Sequence, residues 1–253
     1  MRVFAISDIH VDYDVNAKWV QALSRFDYRD DILILAGDVS HRLPLLAACL
    51  SAFTERFHKV LFVPGNHDLW VLGETKEKTS LQKFIEVADT VEACGASMAP
   101  CHVKGVLFMP LLSWYDYSFG APSESLKYMW MDFRACRWPE GYDAAAIAAH
   151  FAQKNRAPAA GDATSVITFS HFLPRIDLVP AYVPREHRAL DPVLGSAGLD
   201  KQLRQFRPAI HVYGHSHINR AVRIDGVEYV NNAFGNPQES MIASKQLLCI
   251  AEI

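Results

Sequence analysis

The sequence predicts an α/β fold with crossover connections, and three observations point there. Apolar runs recur along the 253 residues, at 2–7, 32–36, 59–63, 105–110, 165–170 and 209–213. Several are continuously hydrophobic, as strands covered on both faces are, and not alternating like a half-solvated sheet. Helical patterns separate the first three runs. The resulting order of strand, helix, strand, helix, strand needs crossovers between parallel neighbours.

Taken in order, RVFAIS (2–7) is followed by the helical pattern NAKWVQALSRF (16–26) and the strand ILILA (32–36). Next comes LPLLAACLSAFTERF (43–57), a helix that tolerates Pro44 in its first turn. KVLFV (59–63) leads through polar residues to the helix TSLQKFIEVADT (79–90), and GVLFMP (105–110) is a further strand. Residues 111–160 break the pattern and read as an irregular insertion folded over the sheet, whose stretch 111–142 holds nine of the chain's 28 aromatics. These side chains either pack the insertion against the body or line a substrate pocket. An Ala-rich helix (143–156) and a small-residue loop, APAAGDAT (157–164), precede the strands SVITFS (165–170) and AIHVY (209–213). AVRIDGVEYV (221–230) is a hairpin, because Asp225-Gly226 suits a turn with positive φ at both central residues. LLCIAEI (247–253) is the last strand candidate. The expectation is a parallel half followed by an antiparallel half, in one domain spanning 1–253.

Composition narrows the class. A formal net charge of −3 gives no strong nucleic-acid signal. Residues 173–223 hold eight Arg or Lys against four acids, which is either a solvated face or a mild attraction for small anions. Five Cys show no zinc-like spacing, and no apolar run reaches the roughly 18–20 residues of a membrane helix. The chain enters a strand at once, with no room for a signal peptide. A reduced, soluble, cytoplasmic protein is expected, with no membrane partner.

Five stretches place ligand-type side chains just after an apolar run. They are Asp8-Ile-His10, Gly37-Asp38, Gly65-Asn66-His67-Asp68, Ser170-His171 and Gly214-His215-Ser-His217. Side chains at the carboxyl ends of parallel strands converge however far apart they lie in sequence. Each stretch alone reads as turn chemistry; five together do not. Carboxylate, imidazole and amide donors suit divalent Mn, Fe, Zn or Co. Seven candidate ligands (Asp8, His10, Asp38, Asn66, His171, His215 and His217) are too many for one tetrahedral ion. They suit two divalent transition-metal ions if one carboxylate bridges them.

The ordered set D-x-H, G-D, G-N-H-D, His and G-H-x-H resembles the calcineurin-like metallophosphoesterases. The resemblance implies two mixed β-sheets packed face to face and flanked by helices. It implies that Asp8, His10 and His217 hold one ion, that Asn66, His171 and His215 hold the other, and that Asp38 bridges them. A metal-bridging hydroxide would attack the phosphate ester of a small molecule, in a phosphodiesterase or phosphatase reaction. His67 would bind no metal; it would contact phosphate and stabilise or protonate the leaving group. Asp68 would stand behind the ligands and fix an imidazole, and Gly65 would let the chain turn sharply. Two departures stand out. Ser170 replaces the family's Gly. In GDVSHRL, His41 stands where the phosphoprotein phosphatases carry an Asp, which argues against a phosphoprotein substrate. Arg42 is either a phosphate clamp or an exposed Arg at the start of a helix. Two other functions compete: a catalytically inactive scaffold of the same fold, which would lack ligands, and a nuclease, which would need a basic groove. His58, His102, His150 and His187 read as surface residues, and His211 as a hydrogen-bonded core residue.

Overall fold

A computed structural model describes residues 1–156, 158 and 163–253, except the side chains of Arg185 and His187. Most of the predicted loop at 157–164, and the surface placement of His187, lie outside the described residues. The strands are β1 Arg2–Ile6, β2 Ile32–Leu35, β3 Lys59–Phe62, β4 Cys101–Val103, β5 Val106–Pro110, β6 Ser165–Phe169, β7 Ile210–Tyr213, β8 Arg220–Ile224, β9 Val227–Asn231 and β10 Leu248–Glu252. The α-helices are α1 Asp14–Ala22, α2 Leu43–Thr54, α3 Ser80–Ala93, α4 Glu124–Met129, α5 Asp132–Ala135, α6 Ala144–Ala152, α7 Asp191–Leu194 and α8 Ala197–Phe206.

The strands form two mixed sheets, ordered β10-β1-β2-β3 and β4-β5-β6-β7-β9-β8. The first has one antiparallel edge, β10, and the second has two, β4 and β8. β10 runs antiparallel to β1, β4 to β5, and β8 to β9; the remaining neighbours are parallel. The division into a parallel half and an antiparallel half is therefore corrected. β10 crosses back to the first sheet, and β9 joins the second sheet parallel to β7.

The continuous apolar character of β2 has a direct cause. Ile32 and Ile34 face the other sheet and pack with Phe108, Ile167 and Phe169. Leu33 and Leu35 face the helices and pack with Leu46, Leu50, Phe53 and Val87. Both faces are buried, so neither register position can be polar. The helices stop where local chemistry dictates. α3 opens on a capping box between Thr79 and Gln82. α2 ends at Thr54, short of 57, and the buried Arg56 folds back to donate to Ala52 O, Leu23 O and Gln21 O. That one guanidinium satisfies carbonyls at the ends of both α1 and α2, which would otherwise be orphaned.

The insertion is more regular than expected, for it contains α4, α5 and α6. Trp114, Tyr115 and Phe151 form a buried aromatic cluster with Phe84 and Phe172. His150 is partly exposed and packs edge-on against Phe151, and His58 and His102 are exposed. All five cysteines are free thiols. No helix among the described residues is long and apolar enough to cross a membrane.

Candidate metal centre

β1, β2, β3, β6 and β7 all end at one edge of the two-sheet sandwich. Beyond their last residues, the loops continue to pair through their backbones. Asp8 N donates to Gly37 O (2.9 Å), His10 N to Asp38 O (3.0 Å) and Gly214 N to His171 O (2.9 Å). Loops held this tightly leave little freedom. Asp8, His10, Asp38, His215 and His217 all have φ between 41° and 68°. Non-glycine residues in the left-handed region cost about 1–3 kcal/mol each, and such strain clusters at functional sites.

Two glycines and one carboxylate make the convergence possible. A Cβ on Gly37 would lie 2.5 Å from His171 Nδ1, and one on Gly65 would lie 2.1 Å from Asp38 Oδ1. Gly65 is thus needed for space and not for a left-handed turn, since its φ is outside that region. Asp68 is likewise corrected. It braces no imidazole; its two oxygens accept from the backbone N–H groups of Asp38 (2.9 Å), Gly65 (2.8 Å), Val39 (2.9 Å) and Ser40 (3.0 Å). It ties the GD loop to the GNHD loop and so fixes Asp38 and Asn66 relative to each other.

The seven expected ligands come together in two sets, and Asp38, a member of the second, also lies within 4.8 Å of His10 in the first. Ligand atoms of Asp8, His10 and His217 lie within 4.8 Å of one another, as do those of Asp38, His171 and His215. Asn66 joins the second set, its Oδ1 3.1 Å from His171 Nε2. The tautomers follow from the remaining hydrogen bonds. His171 Nδ1 donates to Ala36 O (2.9 Å) and His215 Nε2 donates to Val193 O (3.0 Å). Burial lowers the pKa of both rings, keeping them neutral. Their other nitrogens, His171 Nε2 and His215 Nδ1, then face each other as bare lone pairs at 3.1 Å. Asn66 Nδ2 is spent on Asp132 Oδ1 (2.9 Å), so the amide also presents only oxygen. Asp38 Oδ2 lies 3.5 Å from His171 Nε2. Four acceptors in contact with no donor among them repel unless a cation lies against them, so this donor set fits a divalent ion.

The other set is proton-bridged instead. His217 Nδ1 contacts Glu239 Oε2 (2.7 Å), and its Nε2 lies 3.4 Å from Asp8 Oδ1 and 3.2 Å from His10 Nε2. Burial opposes the charge on His217, but Asp8 and Glu239 outweigh it and push its pKa up to about 10. Burial and the neighbouring His217 lower His10 to about 3. Burial, with Asp8 and Asp68 nearby, raises Asp38. Asp8 and Asp38, both buried, and the partly exposed Glu239 gather around one histidinium, and divalent ions would supply the positive charge that lets all three ionise.

His67 stands apart from the buried ligands. It is partly exposed, with Nε2 3.9 Å from Asp38 Oδ2, and its ring stacks on Trp70 at 3.6 Å. It lines the mouth of a cavity of about 650 Å³ whose floor is Asp38, Asn66, His215 and His217. The wall opposite is apolar, formed by Val179, Val183, Leu190, Leu194, Ile218 and Ile242. Trp130 alone of the nine insertion aromatics lines this cavity, so most of them are packing residues. Arg42 is exposed and lines a separate concavity with Leu72 and Glu74; the structure does not bring it to the ligands. Arg175 is held by Asp177 (2.8 Å) and Asp225 (2.6 Å). Sequence reasoning missed Asp132 and Glu239, which touch a ligand each from 66 and 22 residues away. No local pattern marks either one.

Ser170, the departure from the family's glycine, has a partner. Its Oγ donates to Phe172 O (2.7 Å) and lies 3.1 Å from His211 Nε2. Thr168 Oγ1 meets His211 Nδ1 at 2.8 Å. His211 is fully buried, so Ser170 accepts its only N–H and Thr168 donates to its other nitrogen. Ser170→Gly would restore the family residue yet leave that N–H unsatisfied. A loss of about 1–3 kcal/mol is expected, read as a lower urea midpoint at unchanged slope.

A two-sheet fold that gathers nitrogen and oxygen donors at its parallel strand ends is the design of the metallophosphoesterases. Comparison with known sequences agrees. A profile described as calcineurin-like phosphoesterase matches residues 1–219, and the chain belongs to that family. The [acyl-carrier-protein] phosphodiesterase PptH of Mycobacterium tuberculosis is 30% identical over 126 residues, which is 46% of this chain. The aligned stretch spans only 38% of that relative's length. The crystal structure of phosphopantetheinyl hydrolase (PptH) from the same organism superposes with a TM-score of 0.80 at 24% identity. That match covers 100% of this chain and 96% of that one.

Proposed function

We propose that the chain is a two-metal hydrolase of phosphate diesters. The observation that carries this reading is a pair of ligand sets linked by Asp38, which belongs to the second and lies within 4.8 Å of His10 in the first. Asp8, His10 and His217 would hold one ion and Asn66, His171 and His215 the other, with Asp38, which groups with His171 and His215 and reaches His10, between them. Two divalent ions supply Lewis-acid activation of water near neutral pH and neutralise phosphate charge. The protein's own residues do the rest. Asp68 and the paired loops hold the ligands in place. His67 lines the cavity, and its imidazole would donate a proton to the leaving ester oxygen.

The lining favours a diester over a monoester. A monoester dianion needs cationic donors beyond the metals, yet no Lys or Arg among the described residues lines the cavity. A diester carries one charge and two organic groups, and the apolar wall can receive one of them. An extended, weakly polar arm suits that wall. The phosphopantetheinyl group named for the mycobacterial relative is such an arm, and a carrier protein bearing it is the candidate substrate.

The test is hydrolysis by metal-stripped chain reloaded with Mn, Fe, Co, Ni or Zn. Bis(p-nitrophenyl) phosphate is expected to show a higher kcat/KM than p-nitrophenyl phosphate. A reversed preference would overturn the diester reading, and no hydrolysis of either with any of these ions would favour the inactive scaffold. Cleavage of oligonucleotides in preference to small esters would favour the nuclease.

A further inference from the structure

His67 needs something to hold its ring, and position 41 offers an imidazole where a carboxylate could have done so. The brace comes from the insertion. Asp132 begins α5 and is buried, and it accepts hydrogen bonds from three side chains. Its Oδ1 accepts from Asn66 Nδ2 (2.9 Å) and Trp70 Nε1 (2.7 Å), and its Oδ2 from Trp130 Nε1 (2.8 Å). Each donor leads into the site. Asn66 belongs to the ligand set, Trp70 stacks on His67 at 3.6 Å with an interplanar angle of 28°, and Trp130 meets His215 edge-on at 5.8 Å.

We propose that Asp132 is the positioning residue that sets both the Asn66 amide and the His67 ring. This role rests on the metal-binding reading above and goes beyond the family's ligand pattern. A primary amide can present either its oxygen or its NH₂ group, and only the oxygen binds a cation. Asp132 meets Asn66 as an acceptor, because the two indoles that share its oxygens are donor-only N–H groups and the Tyr115 hydroxyl also bonds to it. It therefore selects the metal-binding orientation. The same carboxylate oxygen fixes the Trp70 indole in plane and rotation, and the indole face fixes His67 from beneath. A buried carboxylate met only by neutral donors is expensive to desolvate. A packing role alone would be served better by an apolar residue. Residues behind metal ligands commonly change affinity or activity by about 10–100-fold when replaced.

Two variants of the full chain test this, Asp132→Asn and Trp70→Phe. Mn²⁺ is titrated calorimetrically into metal-stripped protein, and hydrolysis of phenyl and p-nitrophenyl diesters is compared. Asp132→Asn is expected to bind one of two ions about 10–100-fold more weakly and to lose kcat with KM little changed. Trp70→Phe keeps a ring under His67 but loses the N–H that Asp132 holds. It is expected to keep both ions and to lose more activity on phenyl than on p-nitrophenyl esters, since the poorer leaving group depends more on His67. A folded Asp132→Asn with the wild-type Mn²⁺ isotherm overturns the assignment. If Asp132→Asn does not fold, an unchanged phenyl to p-nitrophenyl ratio in Trp70→Phe overturns it. Failure of the wild type to cleave either ester would defeat the hydrolase reading, while the isotherms would still decide the role of Asp132.

Discussion

Replacing Asp38 with alanine is expected to remove both metals and to abolish turnover. Asp38 belongs to the set with His171 and His215 and also lies within 4.8 Å of His10 in the other set. Its Oδ1 also accepts the backbone N–H of His67 at 2.9 Å, so the substitution loosens the leaving-group residue as well. A single lost electrostatic contact in an active site costs about 10²–10³ in kcat. Losing the shared carboxylate removes several such contacts together, and a larger drop is expected. Metal analysis of the purified variant beside a diester assay checks it. Two tightly held ions in Asp38→Ala would show that the sets are independent.

His67→Ala separates binding from chemistry. The imidazole is close enough to His10 and Asp38 to complete a third possible ligand group, all within 4.8 Å. Its position argues against that role: it is partly exposed, stacked on an indole and farther from Asp38 than His171 is, 3.9 Å against 3.5 Å. The variant is expected to retain both ions while kcat falls by about 10²–10⁴, the usual share of general acid–base catalysis. The loss should be greatest on esters with poor leaving groups. Loss of an ion instead would make His67 a ligand.

Much of this site was legible in the sequence because strand ends are. Apolar runs end abruptly, and the polar residue after each end is forced to the same edge. That is why the ligands from Asp8 to His217 could be collected before any contact was known. What stayed hidden depends on contacts across the chain. β4 is only three residues, closed by a turn at Lys104 and Gly105 (φ 47° and 77°), and Lys-Gly is not a pair that announces a hairpin. β10 pairs antiparallel with β1 from the far end of the chain, which no local pattern reveals. Asp68 looked like a brace for an imidazole because it follows His67, yet its oxygens point to the backbone of another loop. Trp70 lies three residues past His67, and its stacking was not foreseen because helical geometry there is a single 3₁₀ turn. Asp132 sits among aromatics that gave every appearance of packing.

The central claim is a centre of two ions that work together. Stepwise addition of Mn²⁺ to metal-stripped protein, with bound metal and diester hydrolysis followed in the same samples, tests it most directly. Activity is expected to stay low through the first equivalent and to rise with the second. Full activity with one ion per chain would contradict the account.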